Sequence, residues 1–439
     1  MGVLMLVLLL ATFVSMTVWR VPLALAMSLL ALAFLLLQGR EAPHVLAIAF
    51  EHYAPITILF TAVAVPAHMI ERSNGFKWLA AGAGYGFGRL RLRSPRSTTP
   101  LLIATVLLAT YVTAALMHNV TSILIMTPII IRLCMSYGIP SRWILSGALV
   151  ASNLGGFSTR WGDTPNIKEA EYWGLTAGDF TREIVPPNLI VLGILITVVV
   201  FLTRRTMARR PAVPLPAVGE TLAMASAAVD WKAARNDLVI DRRLLGIGLV
   251  GLLGFIVLHV VFDDWKIAIG AASILFCVLL ERRRDRLHTL TSLGGDVYLS
   301  FAAIFAIAEC VARSSIGAFL HEQIETTQTS PGHVAPAAVL VTGYFGTMFT
   351  EAASWVTAVG ASIQKLDPSH VSAWALGAGI CAGSSSLVTA ASAGVVLAEE
   401  SGRFKDPEHA VTFRSYLGFG IGFSLAMLGI YALWFTYLS

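Results

Sequence analysis

The sequence predicts an all-α polytopic membrane protein made of two inverted-topology repeats, each with about five transmembrane helices plus one re-entrant hairpin and a broken helix at the midplane. Three observations predict it. Of 439 residues 56% are hydrophobic and 13% charged, where a soluble domain carries roughly 25% charged residues, and mean hydropathy is +0.73. Apolar runs recur along the whole chain at lengths near the ~20 residues that cross a bilayer core. Two runs are too long for a single crossing, and two others are interrupted by small polar residues and glycines.

The apolar segments fall at 3–19, 21–37, 46–70, 100–136, 143–157, 188–203, 244–262, 267–280, 295–320, 335–363, 371–398 and 411–437. Residues 1–37 lack a basic start and are interrupted by Arg20, Val21 and Pro22, so they read as two mature helices rather than a signal peptide. Basic residues crowd three connections: 71–99, 204–243 and 281–292. The stretch 321–333 has no Lys or Arg, and 263–266 reads "DDWK". The positive-inside rule puts the first three in the cytoplasm, and the last two and the N-terminus outside. Residues 77–96 alternate aromatic and basic side chains and read as a short interfacial helix.

With that sidedness, segment 100–136 starts and ends on the cytoplasmic side. It is therefore a hairpin with its tip at "MHNVTS" (117–122), and 335–363 is a hairpin entered from outside. Irregular backbone at such a tip needs protein or a watery cavity around it. The halves also align: "YVTAALMHNVTSILIMTPII" (111–130) with "YFGTMFTEAASWVTAVGASI" (344–363), 58–73 with 299–314, and 151–174 with 379–402. An odd number of spans per half inverts the second half. The expected domains are an N-terminal repeat (1–203; hairpin 100–136, broken helix 143–174), an Ala/Pro-rich cytoplasmic linker (204–243) and a C-terminal repeat (244–439; hairpin 335–363, broken helix 371–398).

The first break, "ASNLGGFSTRWGDTPN" (151–166), concentrates the chemistry. A helix interrupted in the membrane offers N–H groups to anions at one half-helix end and C=O groups to cations at the other. Gly155 and Gly156 permit unwinding, and Pro165 starts a second half-helix. Ser152, Asn153, Ser158, Thr159, Thr164 and Asn166 supply neutral oxygens. Asp163 can bind a cation or carry a proton, and Arg160 can pair with Asp163 or clamp an anion. At the hairpin tips stand His118, Asn119, Thr121 and Ser122, and on the other side Thr350, Glu351, Ser354 and Thr357. His118 aligns with Glu351, so both are candidates, with Asp163, for carrying a coupled proton. The second break offers Gly383, Ser384, Ser385, Ser386, Thr389, Ser392 and Gly394, which also suit helix packing. His68, Glu309 and Glu51 are weaker candidates suited to rim or packing roles.

These patterns exclude much. The sequence shows no HExxH, GxSxG or nucleotide loop, so no enzyme is expected. Cys134, Cys277, Cys310 and Cys381 sit singly in apolar segments and suggest neither a metal site nor disulfides. The +5 charge fits cytoplasmic loops rather than nucleic-acid binding. No cofactor is implied; the expected partners are the bilayer, a small ion or small anion, and a coupling proton or sodium. A passive channel would need a continuous pore and a selectivity ring, whereas hairpins and broken helices suit alternating access in a bacterial inner membrane.

The chain resembles the ion-transporter superfamily: sodium/proton antiporters of the NhaD type, arsenite permeases and divalent-anion/sodium symporters. "SNLGGFSTRWGDTPN" is similar to that superfamily's Asn-x-Gly-Gly break ending in Gly-Asp/Thr-x-Pro-Asn. "HNVTSILIMTP" resembles its Asn-x-Thr hairpin followed by Thr-Pro, and "GSSSLVTAASAGV" its Gly/Ser-rich second break. The resemblance implies that Asn119, Thr121, Gly155, Gly156, Asp163 and Asn166 line the site, with Ser354 and Thr357 the comparable oxygens of the second hairpin. It also implies a homodimer with a scaffold and a moving transport domain. His118 stands where the antiporter motif has Asp, the second hairpin reads "TEAASW" without a Ser-Asn-Thr motif, and Arg160 replaces a neutral residue. These departures argue for proton coupling over two-sodium symport. The expected function is a proton-coupled secondary ion transporter of the cation/proton antiporter kind. The alternative is a proton- or sodium-coupled anion permease for arsenite, a carboxylate or another oxyanion.

Overall fold

The computed structural model describes residues 4–5, 7–8, 11–12, 15, 23–75, 78, 82, 95–117, 119–160, 162–209, 239–262, 265–286, 289, 295–314, 322, 328–330, 333–349, 352–404 and 406–437. Over these residues the chain is overwhelmingly helical. Helix α1 (Leu23–Gln38) passes through a 3-10 turn, Gly39–Glu41, into α2 (Ala42–Arg72), which continues through Pro55 and Pro66. The first long apolar run forms two helices, α3 (Pro95–Met117) and α4 (Asn119–Ser136). Next come α5 (Arg142–Phe157), α6 (Thr164–Trp173), the short α7 (Ala177–Glu183) and α8 (Val185–Ala208). The later half contains α9 (Arg242–Val261), α10 (Lys266–Leu280), α11 (Gly295–Ala312), α12 (Pro336–Phe349), α13 (Ala352–Leu366), α14 (His370–Ser384), α15 (Ser392–Gly402) and α16 (Phe413–Tyr437).

The distribution of side chains is that of a protein in lipid. Leu25, Leu29, Leu32 and Leu36 line an exposed face of α1, while Asn119, Asn153, Asn166, Ser385 and Asn188 are buried. Outward leucines cost nothing against acyl chains, and inward polar groups must then find one another. Among the described residues, four stretches are long and apolar enough to cross a membrane: Leu25–Glu51, Thr99–Leu116, Val185–Ala208 and Phe413–Thr436. The two halves of each interrupted helix are shorter. At ~1.5 Å per residue, α6 and α15 each reach only part-way through a hydrocarbon core of ~30 Å.

Packing repeats in matching pairs. α3 packs on α5 as α12 packs on α14, and α5 packs on α8 as α14 packs on α16. Across the halves, α6 packs on α13 and α15 on α4. Glycines permit the closest crossings: a Cβ on Gly155 would collide with the Tyr111 carbonyl oxygen, and one on Gly383 with that of Tyr344. A separate apolar cluster joins α2 to α9 through Ala62, Val63, Ala67, Ile70, Leu252 and Phe255. The buried Glu281 ties α2 to the end of α10 by pairing with Arg72 at 3.1 Å and accepting from Thr289 at 2.6 Å.

Several boundaries depart from the expectations. α8 runs past residue 203 to Ala208, so the basic residues Arg204 and Arg205 continue a helix instead of opening the linker. The acidic stretch 321–333 ends in a small antiparallel ladder, Gln328–Ser330 with His333–Val334, a local exception to an all-α chain. α7 had no counterpart among the expected segments; a capping box starts it, with Thr176 and Asp179 bonding reciprocally. Most of the first apolar segment, nearly all of the 77–96 interfacial segment, and linker residues 210–238 lie outside the described residues.

Candidate ion-binding site

α5 stops because Gly155 and Gly156 fall in its last turn and Ser158 forms its C-cap. The chain then turns until Asp163, whose backbone is extended (φ −148°, ψ 152°) and whose Oδ1 accepts from the Thr164 N–H at 2.9 Å. Asp163 is thus the N-cap of α6, with Pro165 in its first turn. Asn166 closes the break. Its amide donates to the Gly156 carbonyl at 2.8 Å and to the Thr159 carbonyl at 2.7 Å. These are C=O groups that the end of α5 leaves without helical partners. Gly162 must lack a side chain, because a Cβ there would lie 2.5 Å from the Gly156 oxygen.

Asn119, the first residue of α4, reaches this break. Its Nδ2 donates to Asp163 Oδ2 at 2.8 Å and approaches Asn153 Oδ1 at 3.4 Å, while its Oδ1 accepts from the Val120 N–H at 2.7 Å. Asn153 reaches the second break by donating to Ser385 Oγ at 3.1 Å. The Ser385 hydroxyl donates to the Cys381 carbonyl at 2.9 Å, and its own carbonyl accepts from Tyr416 Oη at 2.7 Å. A chain of polar groups therefore runs from the half-buried Asp163 through the buried Asn119 and Asn153 to Ser385 in the second break. Thr159 fastens it to α3 through the Ala115 carbonyl at 2.8 Å.

Other expected residues are near but otherwise engaged. Ser122 joins the two hairpin arms by bonding Thr113 Oγ1 at 2.6 Å and the Thr110 carbonyl at 2.9 Å. Thr121 and Ser384 are buried, and Ser386 donates to the Gly383 carbonyl at 2.6 Å. Ser158 belongs to a second network, accepting from Asn188 Nδ2 at 2.8 Å and sharing a bond with Tyr111 Oη at 2.7 Å. Tyr431 Oη completes it by donating to Asn188 Oδ1 at 2.6 Å. His118, Thr350 and Glu351, and the side chains of Ser354 and Thr357, lie outside the described residues.

Arg160 stands apart from Asp163 in this structure. Arg160 is exposed, and no ion pair joins it to Asp163. The i, i+3 spacing brings side chains together only on a helix, and residues 158–160, 162 and 163 are not helical. His68 and Glu309 lie beside charges on their own helices, His68 at 3.9 Å from Glu71 and Glu309 paired with Arg313 at 2.6 Å.

Sequence reasoning missed Asn188, Tyr111, Tyr431 and Glu169. Asn188 follows Pro186 and Pro187 at the edge of an apolar run, where an amide reads as an ordinary helix end. Glu169 lies in "IKEAEYW", which reads as a polar surface, yet it is fully buried at 0% exposure.

Apolar helices turned outward, with interrupted helices enclosing polar groups between them, are the architecture of a polytopic membrane protein. The chain belongs to the citrate transporter family: the family profile described as "Citrate transporter" matches residues 4–394. It is 25% identical over 456 residues to magnetosome protein MamN of Paramagnetospirillum magneticum, covering 98% of this chain and 97% of that one. It is 28% identical over 341 residues to a 46 kDa membrane protein of Mycobacterium leprae, covering 74% and 75%. An uncharacterized transporter of Mycobacterium bovis is 28% identical over 360 residues, covering 77% and 78%. Among solved structures, the YdaH transporter of Alcanivorax borkumensis is similar with a TM-score of 0.44 and 16% identity, over 91% of this chain and 89% of that one. The protein is an integral membrane protein of the bacterial plasma membrane and a secondary transporter.

Proposed function

We propose that this transporter is proton-coupled, works by alternating access, and binds a small cation in exchange for a proton where the two helix breaks meet. The carrying observation is Asp163, which sits in the first break, accepts from Asn119 and is linked through Asn119 and then Asn153 to Ser385 of the second break. Arg160 does not occupy that carboxylate. The site offers a cation an acidic group together with amide and hydroxyl oxygens, a donor set suited to a hard ion. The matching packing of α3–α5 and α12–α14 supports two inverted repeats, 1–203 and 244–439, joined by the 204–243 linker. Cysteine labelling tests this division: reagents should reach 204–243 and 321–333 from opposite sides, and labelling from one side would sink it.

In proteoliposomes under an imposed pH gradient, sodium or lithium should dissipate the gradient, with saturation and countertransport. Unsaturable conductance without countertransport would make the protein a channel. A second reading, an anion permease, has its own support. α15 begins at Ala391 without a side-chain cap, so the positive end of its helix dipole faces the second break. The family description adds a carboxylate as the natural candidate. Saturable, pH-dependent uptake of citrate or arsenite with no response to sodium or lithium would favour that reading.

A further inference from the structure

Glu169 lies on α6, one residue short of a helical turn beyond Asn166, and its side chain is enclosed at 0% exposure. Among the described residues neither carboxyl oxygen has a hydrogen-bond partner. An ionised carboxylate buried without a donor or counter-ion is among the costliest groups a protein can hold, and a bound proton removes most of that cost. The enclosure is specific to this side chain. A Cβ on Gly377 of α14 would lie 2.6 Å from Glu169 Oε2 and 2.5 Å from Phe157 Cε2. The carboxyl therefore occupies space that exists only because residue 377 has no side chain, with the Phe157 ring beside it. That space lies between the second half of the first broken helix and the first half of the second.

Among the described residues, few titratable groups face it. Asp163, on the same segment, acts on Glu169 electrostatically, and Cys381 on α14, one turn beyond Gly377, feels both acids. Lys168 precedes it on α6, and α13 and α14 bring Lys365 and His370 at their ends.

We propose that Glu169 is the proton-carrying residue of the transport cycle, protonated while enclosed by Phe157 and Gly377 and deprotonated when a cation occupies the neighbouring Asp163. The inference rests on the proton-coupled reading above. When the Glu169 O–H bond breaks, its electron pair stays on the carboxylate and the proton passes to water on the open side. The entering cation replaces the departing positive charge, so the two acids never stand ionised together without compensation. Exposure of Glu169 to that water requires α6 to move against α14, which ties proton release to the alternation of the breaks.

The test uses the full chain in proteoliposomes with pyranine inside, challenged with sodium chloride, lithium chloride or potassium citrate. Wild type should move protons with at least one of them. If it transports one of these without moving protons, the proton-coupled reading falls, whatever the variants do. If wild type moves protons, Glu169→Gln should lower proton flux to that of protein-free vesicles while keeping isotope counterflow of the same solute. Unchanged proton flux in that variant overturns the assignment. Glu169→Met guards against misfolding: an apolar side chain of similar shape suits a site with no hydrogen-bond partners. It should therefore be as monodisperse as wild type. Loss of fold in both variants would make Glu169 a structural residue and overturn the proposal. Gly377→Ala, which crowds the carboxyl out of its space, should shift the pH midpoint of proton flux; an unmoved midpoint also counts against it.

Discussion

The two helix breaks share a backbone plan and differ in chemistry. In each, a glycine at the end of the first half-helix lies against a tyrosine carbonyl of the hairpin arm, Gly155 on Tyr111 and Gly383 on Tyr344. In the first break Asp163 caps the second half-helix, whereas Ala391 at the matching place in the second break supplies no side-chain cap. Charge is concentrated in one break, and neutral hydroxyls and a bare helix end in the other. Equivalent geometry with unequal charge suggests that one break binds the ion and the other closes the cage around it.

The largest expected effect breaks the shared part. Gly155→Ala and Gly383→Ala each push a methyl into a backbone carbonyl that has no room to yield, so both should exceed the ~1–3 kcal/mol typical of overpacking. Loss of monodisperse protein in detergent, with lowered melting temperatures, is the expected outcome for both. If Gly383→Ala melts like wild type, the two crossings are not equivalent.

Next comes the unequal part. Asn caps a helix about as well as Asp, and Ala loses about 1 kcal/mol. Asp163→Asn should therefore melt near wild type yet lose ion-driven proton movement, while Asp163→Ala should lose both stability and transport. Retained transport in Asp163→Asn would move the ion site elsewhere. In the second break, Ser385→Ala leaves the buried Asn153 amide short of an acceptor, a loss of about 1–3 kcal/mol. It should lower the melting temperature and weaken apparent affinity without abolishing transport. Abolition with an unchanged melting curve would make Ser385 a direct ligand.

How much of this was legible in the sequence follows from what each signal depends on. The helix ends at the breaks were readable because glycine, proline and hydroxyls stand out against apolar runs: α5 ends at Phe157 and α14 at Ser384, inside the expected interruptions. The Arg160–Asp163 pair was inferred from helical spacing at a place where the helix had already ended. Glu169 was hidden for the opposite reason. Lys168 and Glu171 lie within two residues of it, so composition suggests a wet surface, and only packing against Gly377, more than two hundred residues away in sequence, reveals a dry one. The Tyr111–Ser158–Asn188–Tyr431 network likewise joins α3, α5, α8 and α16, a pairing no local pattern encodes.

A cap away from the breaks separates stability from function. Thr176 and Asp179 start α7 with reciprocal bonds, including Thr176 N–H to Asp179 Oδ2 at 2.7 Å. Those hydrogen bonds from Thr176 hold the Asp179 carboxyl below its ordinary range. Because the folded value is depressed, its contribution is complete above the unfolded value near ~3.9 and fades as pH falls through the lower folded value. Thr176→Ala should cost about 1 kcal/mol at neutral pH, less below pH ~4, and leave ion-driven proton flux unchanged. A change in flux would mean that α7 takes part in the transport motion.

The smallest expected effect concerns Arg160. An exposed side chain with no ion pair to Asp163 should change stability by no more than ~0.5 kcal/mol when replaced by Gln. The cycle of Arg160→Gln, Asp163→Asn and the double variant, scored by melting temperature, should therefore give near-zero coupling, since coupling arises only between groups that interact. Sizeable coupling would restore the pair as a structural or switching contact formed in another state of the cycle. Transport scored on the same variants sharpens the contrast between the breaks. If the ion is a cation held at Asp163, Arg160→Gln leaves its KM unchanged or lowered, because a nearby positive charge is gone. If the substrate is a carboxylate drawn to the uncapped end of α15, the same replacement raises the KM for citrate by removing an attractive charge at the mouth of the first break. The sign of one KM change at an exposed arginine thus distinguishes the two substrate classes, and it does so without disturbing the fold that both readings share.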